Sequence, residues 1–266
     1  MINPNVQLPA ILVFVHVPRS GGTALHNAFS AHFSPWQICP ERMNRLHRVP
    51  RHAMADYRLF SGHYRFEQVA LTPEPRLAVT VLREPRERLV SLYRHWRRHS
   101  AAFAEGNPGL RLARTLPLVE FLRSEELEVV EAFDNSLVRQ LAGNSHARGP
   151  GYFSTIVPES MVAQDYMDLV PAACRNLLQF DAVGFQGKLD LMHAHVSERM
   201  GWPPSAPLPL TNASSQADPE LAALPEEDVP PEALPELNRL TRLDRMVWDF
   251  ALKRAGGQPL WLPNAA

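Results

Sequence analysis

Three short segments of this 266-residue chain carry side chains suited to anion chemistry. The first is Pro18-Arg19-Ser20-Gly21-Gly22-Thr23, a glycine turn between an apolar run and a helical pattern. Such a turn aims backbone N–H groups and a helix N-terminus at an anion, usually a phosphate. The second is Arg83, with Ser91 eight residues further on. Arginine suits bidentate phosphate recognition, and a serine hydroxyl adds a hydrogen bond. The third is His63, directly after Gly62, a proton acceptor whose ordinary pKa near 6.5 leaves it largely neutral at neutral pH. Two phosphate sites and one base imply a nucleotide with phosphates at both ends. The turn lacks the lysine that follows the glycines of an ATP-binding P-loop. The chain's lysines are Lys188 and Lys253.

The elements that must position these residues are legible as apolar runs. Ile11 to Val17 is near-continuous, the mark of a central parallel strand buried on both faces. Leu77 to Leu82 is a second such strand and stops at Arg83-Glu84-Pro85, where proline suits a helix start. Tyr57 to Phe60 reads as a short strand leading into Ser61-Gly62-His63, and Phe180 to Phe185 as a fourth. Helical patterns cover Thr23 to Phe33, Phe66 to Leu71, Glu87 to His99, Leu118 to Phe121, Leu127 to Leu141, Ala163 to Leu178, Leu189 to Met200 and Leu234 to Ala255. In the third of these Leu89, Leu92, Tyr93 and Trp96 make the core stripe. The alternation predicts one α/β domain over residues 1–266, a three-layer P-loop-like fold with a central, mostly parallel sheet flanked by helices. The Pro-, Ala- and acid-rich stretch at about 203–235 reads as an irregular excursion or lid. Arg19, His63 and Arg83 each follow a strand, so all three are expected at one sheet edge, where ligands of such sheets bind.

Charge is balanced, with 27 Lys and Arg against 28 Asp and Glu. That excludes a whole-molecule electrostatic nucleic-acid binder. Positive charge is local, in Arg83–His99 and Arg45–His52, each either a solvated face or an anion cleft. Cys39 and Cys174 are far apart and lack metal-ligand spacing, which fits a reducing compartment and no metal site. The first apolar run leads straight into the glycine turn and no run approaches the roughly 20 residues of a membrane span. A cytoplasmic protein without a membrane span is the expectation; the oligomeric state is open.

Val15–Thr23 resembles the 5′-phosphosulfate loop of carbohydrate sulfotransferases, and Val81–Tyr93 resembles their 3′-phosphate motif. Ser61-Gly62-His63-Tyr64-Arg65-Phe66 is similar to the Gly-His segment that holds the general base in the heparan/uronyl 2-O-sulfotransferase branch. Asp134–Gly143 and Phe180–Phe185 resemble weaker downstream blocks. The resemblance implies 3′-phosphoadenosine-5′-phosphosulfate (PAPS) as donor, 3′-phosphoadenosine 5′-phosphate (PAP) as product, no metal, and a saccharide or other hydroxylated metabolite as acceptor. It implies His63 as general base and Arg19 at the leaving 5′-phosphate, a position where the family usually has Lys. It further implies that Arg19, Ser20, Gly21, Gly22, Thr23 and Ala24 bind the 5′ end of the donor, while Arg83 and Ser91 bind its 3′-phosphate.

Other readings stay open at this point. One is a P-loop-like kinase, another a non-catalytic nucleotide-binding protein. His16 reads as strand-end packing. Asn135 and Arg139 either reach the site or tie it to the core. Thr211-Asn212-Ala213-Ser214 is either a donor-contacting loop or an ordinary turn. The acceptor pocket is expected from segments 36–58, 99–116, 144–158 and 203–235.

Overall fold

A computed structural model of the chain describes residues 11–143, 159–203, 208 and 228–263. Four parallel strands form its centre: β1 (Ile11–Val15), β2 (Leu59–Gly62), β3 (Arg76–Leu82) and β4 (Ala182–Phe185). A two-residue β5 (Leu260–Trp261) adds antiparallel to β4, and the sheet order is β2-β1-β3-β4-β5. Every residue of β1 is buried, as its uninterrupted apolar run requires. Ile11, Val13 and Val15 face one layer and Leu12 and Phe14 the other. Each such buried side chain contributes about 1.5–3 kcal/mol relative to an exposed one.

The helices fall into two layers and an annex. Helix α1 (Gly22–Ser30) is followed by the one-turn α2 (Arg51–Met54) and by α3 (Pro85–Arg97). Next come α4 (Ala101–Ala104), α5 (Pro108–Thr115), α6 (Leu118–Leu122), α7 (Leu127–Phe133) and α8 (Ser136–Ala142). The last four are α9 (Glu159–Leu177), α10 (Leu189–Met200), α11 (Leu234–Leu240) and α12 (Arg242–Ala255). Leu25 and Phe29 of α1 and Met192 and Val196 of α10 cover one sheet face. Leu137 and Leu141 of α8, Ala173 and Leu177 of α9, and Val247 and Ala251 of α12 cover the other. A separate cluster joins α3, α5, α6, α7 and α11. The expected three-layer α/β arrangement with a mostly parallel sheet is therefore present. Among the described residues no helix is long and apolar enough to cross a membrane.

Two expected helices are each broken. The predicted helix Leu127–Leu141 stops at Phe133 and restarts at Ser136, because Asn135 takes a left-handed conformation with φ 45°. The predicted helix Leu234–Ala255 breaks at Thr241. The two breaks interlock. Asn135 N–H donates to the Leu240 carbonyl at 2.8 Å, and Asn135 Oδ1 accepts from Leu243 N–H at 2.8 Å. Periodicity along one segment does not contain that long-range capping. Helices α2, α4 and α5 and strand β5 are not among the expected elements, whereas α10 has the predicted bounds. Of the 203–235 stretch, Pro231–Ala233 forms a 3-10 turn and Leu234 opens α11. Most of the stretch, with Thr211–Ser214 and segment 144–158, lies outside the described residues.

Candidate active site

Parallel register brings the three sequence segments to one end of the sheet. Val15 pairs with Gly62 and with Thr80, so the chain exits of β2, β1 and β3 are neighbours. Connections leave β1 and β3 towards opposite edges of the sheet, and the crevice at such a switch point is where α/β sheets bind ligands.

The glycine turn lies at that crevice. Arg19 at φ 65° and Gly21 at φ 86° bend the chain so that α1 starts at Gly22. For Arg19, a non-glycine residue, the left-handed conformation costs about 1–2 kcal/mol. The first-turn N–H groups of a helix have no intrahelical partner. Here the turn carries no acidic residue and Gly21 supplies no side-chain cap. A helix end of this kind can take an external anion. Thr23 is exposed and Ala24 half-buried at this end. Ser20 is turned inward: its Oγ is buried without a hydrogen bond, and its N–H donates to the Val17 carbonyl at 3.3 Å.

Gly22 is fixed by packing. A Cβ there would lie 1.9 Å from His16 Cδ2 and 2.1 Å from His16 Nε2. His16 cannot retreat, since its ring is stacked 5.7 Å from Phe14 and lies 4.3 Å from the His63 ring. This buried ring matches the strand-end packing expected of it. Gly22→Ala is therefore expected to destabilise the protein by about 1–3 kcal/mol through overpacking, measured by urea unfolding. Gly106, whose Cβ would meet nothing within 4 Å, is the control. Its change to Ala is expected to stay within about 0.5 kcal/mol of wild type.

Arg19 joins the turn to the β3–α3 corner. Its Nε donates to Ser91 Oγ at 3.3 Å, and its carbonyl accepts from Arg83 Nη1 at 3.3 Å. Burial, then the charges of Arg83 and Arg98, pull the Arg19 pKa down to about 10. Burial, Arg19, His99 and Arg98 push His95 down to about 3. The nearby Glu87 carboxylate lies 3.5 Å from Arg83 Nε and is mostly exposed, so it is a weak counter-charge. Crowded cations of this kind are relieved by a bound anion.

His63 follows β2. Its Nδ1 lies 2.9 Å from the His16 carbonyl oxygen. A carbonyl only accepts, so Nδ1 carries the hydrogen and Nε2 is the basic nitrogen. Burial lowers the His63 pKa to about 4; the His16 carbonyl opposes that shift and the Arg42 charge adds to it. Gly62 is required by close approach, because a Cβ would lie 2.4 Å from the Arg42 carbonyl. That same carbonyl accepts His63 N–H at 2.7 Å. Arg42 Nε donates to the Ser61 carbonyl at 3.2 Å, and His26 Nδ1 meets Ser61 Oγ at 2.9 Å. Sequence reasoning placed segment 36–58 near the acceptor but did not single out Arg42, whose pairing with the Gly-His exit is a long-range contact. Arg139 is buried and donates to the Glu131 carbonyl, while Asn135 caps α12.

No protein-family model matches the chain. The chain is similar to a protein-tyrosine sulfotransferase of Arabidopsis thaliana, 33% identical over 88 residues, a stretch that is 32% of this chain and 17% of that relative. The match does not separate one branch of sulfotransferases from another.

Proposed function

We propose that this chain is a PAPS-dependent O-sulfotransferase. The observation that carries the reading is the Arg19–Ser91 contact, 3.3 Å long, which joins a helix-end anion cradle to an Arg-Ser corner in one cationic crevice. In this reading the α1 N-terminus with Thr23 and Ala24 holds the 5′-phosphate, and Arg83 with Ser91 holds the 3′-phosphate. Ser20 supports the bend of the turn from beneath. His63 Nε2 takes the acceptor hydroxyl proton as the new O–S bond forms. The S–O bond to the 5′-phosphate breaks in line, and PAP leaves with the electron pair. Arg19 stabilises the charge that develops on the leaving oxygen. Its guanidinium keeps the positive charge that Lys supplies elsewhere, with a larger, forked donor set.

The Gly-His segment motivates a saccharide hydroxyl as acceptor, in the manner of the uronyl 2-O branch. The tyrosine sulfotransferase likeness favours a second class, the phenolic hydroxyl of a tyrosine peptide. A radiolabelled-PAPS transfer screen across glycans, tyrosine peptides, lipids and small alcohols separates them. The donor assignment is tested first by binding. PAP is expected to raise the melting temperature more than AMP does. Arg83→Ala is expected to weaken PAP by about 10- to 100-fold, the size of a lost charge-assisted hydrogen bond, and to leave AMP unchanged. Equal stabilisation of the wild type by PAP and AMP would sink the two-phosphate reading. ATP hydrolysis without PAP affinity would favour the kinase alternative.

A further inference from the structure

Strands β1 and β2 make their last ladder bond where His16 N–H donates to the Gly62 carbonyl at 2.8 Å. Beyond that point the strand exits are joined by side chains. The His16 carbonyl accepts from His63 Nδ1 at 2.9 Å and from Gln140 Nε2 at 3.1 Å. The same Gln140 nitrogen donates to the Tyr64 carbonyl at 3.0 Å. Gln140 lies on α8 and is 4% exposed. An amide NH2 has two hydrogens, one for each of these carbonyls, and a carbonyl oxygen has two lone pairs, one for each of its donors. Both partners of Gln140 only accept, so its NH2 must face them. Tyr64 is itself anchored, its hydroxyl donating to the Glu41 carbonyl at 2.5 Å.

We propose that Gln140 is a positioning residue for His63: by holding the His16 and Tyr64 carbonyls together it fixes the acceptor of His63 Nδ1–H, and so presents Nε2 as the basic nitrogen. The effect on turnover rests on the general-base role given to His63 above. The effect on the ring itself does not. A plain strand clamp would tie the exits together and leave the His63 tautomer indifferent to Gln140. In the positioning role the ring has one tautomer because its acceptor carbonyl cannot rotate away.

The test is the nitrogen-15 imidazole spectrum of the full chain near pH 7, with His63 assigned by the signals lost in His63→Gln. Wild type is expected to show Nδ1 protonated and Nε2 unprotonated as a single species. Gln140→Met removes both donated bonds at similar volume. Gln140→Glu keeps the shape and loses at least one of the two donated bonds, since a carboxylate donates none and a buried, protonated carboxyl donates one. In either variant both His63 nitrogen signals are expected to move towards their tautomer-averaged positions, with PAP-induced stabilisation retained. Once the transfer screen has supplied an acceptor, turnover is expected to fall about 10-fold or more at unchanged KM, part of the factor a general base provides. Wild-type His63 signals in a folded Gln140 variant overturn the proposal. So does rapid solvent exchange of the Gln140 side-chain amide in the wild type, a measurement that needs no variant to fold. A wild type that transfers no sulfuryl group would remove the sulfotransferase reading and leave the spectral test intact.

Discussion

Replacing His63 with alanine is expected to lower sulfuryl-transfer turnover by about 10²- to 10⁴-fold, the usual contribution of a positioned general base. PAP affinity is expected to stay within about 2-fold, because the lost interaction acts only in the transition state. The ring is set for this role by two features: its Nδ1 donates to the His16 carbonyl, and burial holds its pKa near 4. The imidazole is therefore in its neutral form throughout the neutral range. The kcat/KM profile is expected to bend downward only as pH approaches about 4. The kcat profile is expected to bend at higher pH, since an anionic donor beside the ring favours its protonated form. Stability follows the same linkage. The unfolded chain takes up this proton near 6.5 and the folded protein near 4, so the contribution is complete above 6.5 and is lost as pH falls from 6.5 towards 4. His26, also lowered to about 4, and His95, lowered to about 3, act in the same direction. Urea unfolding of His63→Gln is expected to show a shallower acid dependence than wild type. An activity profile bending near 6.5 in both parameters would contradict the buried base.

Asp244→Ala is expected to cost about 3–5 kcal/mol in urea unfolding, the penalty for leaving one partner of a buried ion pair alone. Asp244 and Arg88 are 0% and 1% exposed at their side chains, and Arg88 Nη2 lies 3.0 Å from Asp244 Oδ2. Arg88 also donates to Ser136 Oγ at 2.8 Å. The carboxylate accepts Leu137 N–H at 3.2 Å and Val138 N–H at 2.8 Å, so it caps α8 from a distance. Asn135 returns the bond by capping α12. Burial raises the Asp244 pKa, against the pull of Arg88 and these two N–H groups. Alanine would orphan the guanidinium and both donors together. The double change Arg88→Met with Asp244→Leu is expected to recover the part of the loss due to the lone charge, since apolar pairs commonly replace buried ion pairs at little net cost, while the Leu137 and Val138 N–H groups stay without their acceptor. A single-variant loss below about 1 kcal/mol would mean that the cluster relaxes or admits water. Arg88 lies one turn from Ser91 on α3, so this cluster also fixes the helix that presents Ser91.

The strands and their exits were legible because their physics is local. An unbroken apolar run such as Ile11–Val15 has no stable place except a sheet interior, and Pro85 announces the start of α3. From those runs the gathering of Arg19, His63 and Arg83 followed. The breaks at Asn135 and Thr241 were illegible because each is paid back by the other across more than 100 residues. Arg42 and Gln140 escaped for the same reason. Nothing near them in sequence requires an Arg backbone carbonyl under His63 or an amide between two strand exits. Chemistry-bearing residues were visible by type, and those that aim them became visible only by contact.

Among the described residues, one edge of the sheet is covered and the other is short. On the outer side of β2, Arg58 N–H donates to the Gln37 carbonyl, Cys39 N–H to the Leu59 carbonyl and His63 N–H to the Arg42 carbonyl. On the other flank β5 offers only two residues. A long bare flank is a template on which other chains polymerise, and natural sheets cover or shorten it. The strap from Gln37 to Arg42 thus has a second duty besides packing against Gly62 and His63. A covered edge of this kind is a poor template for strand addition.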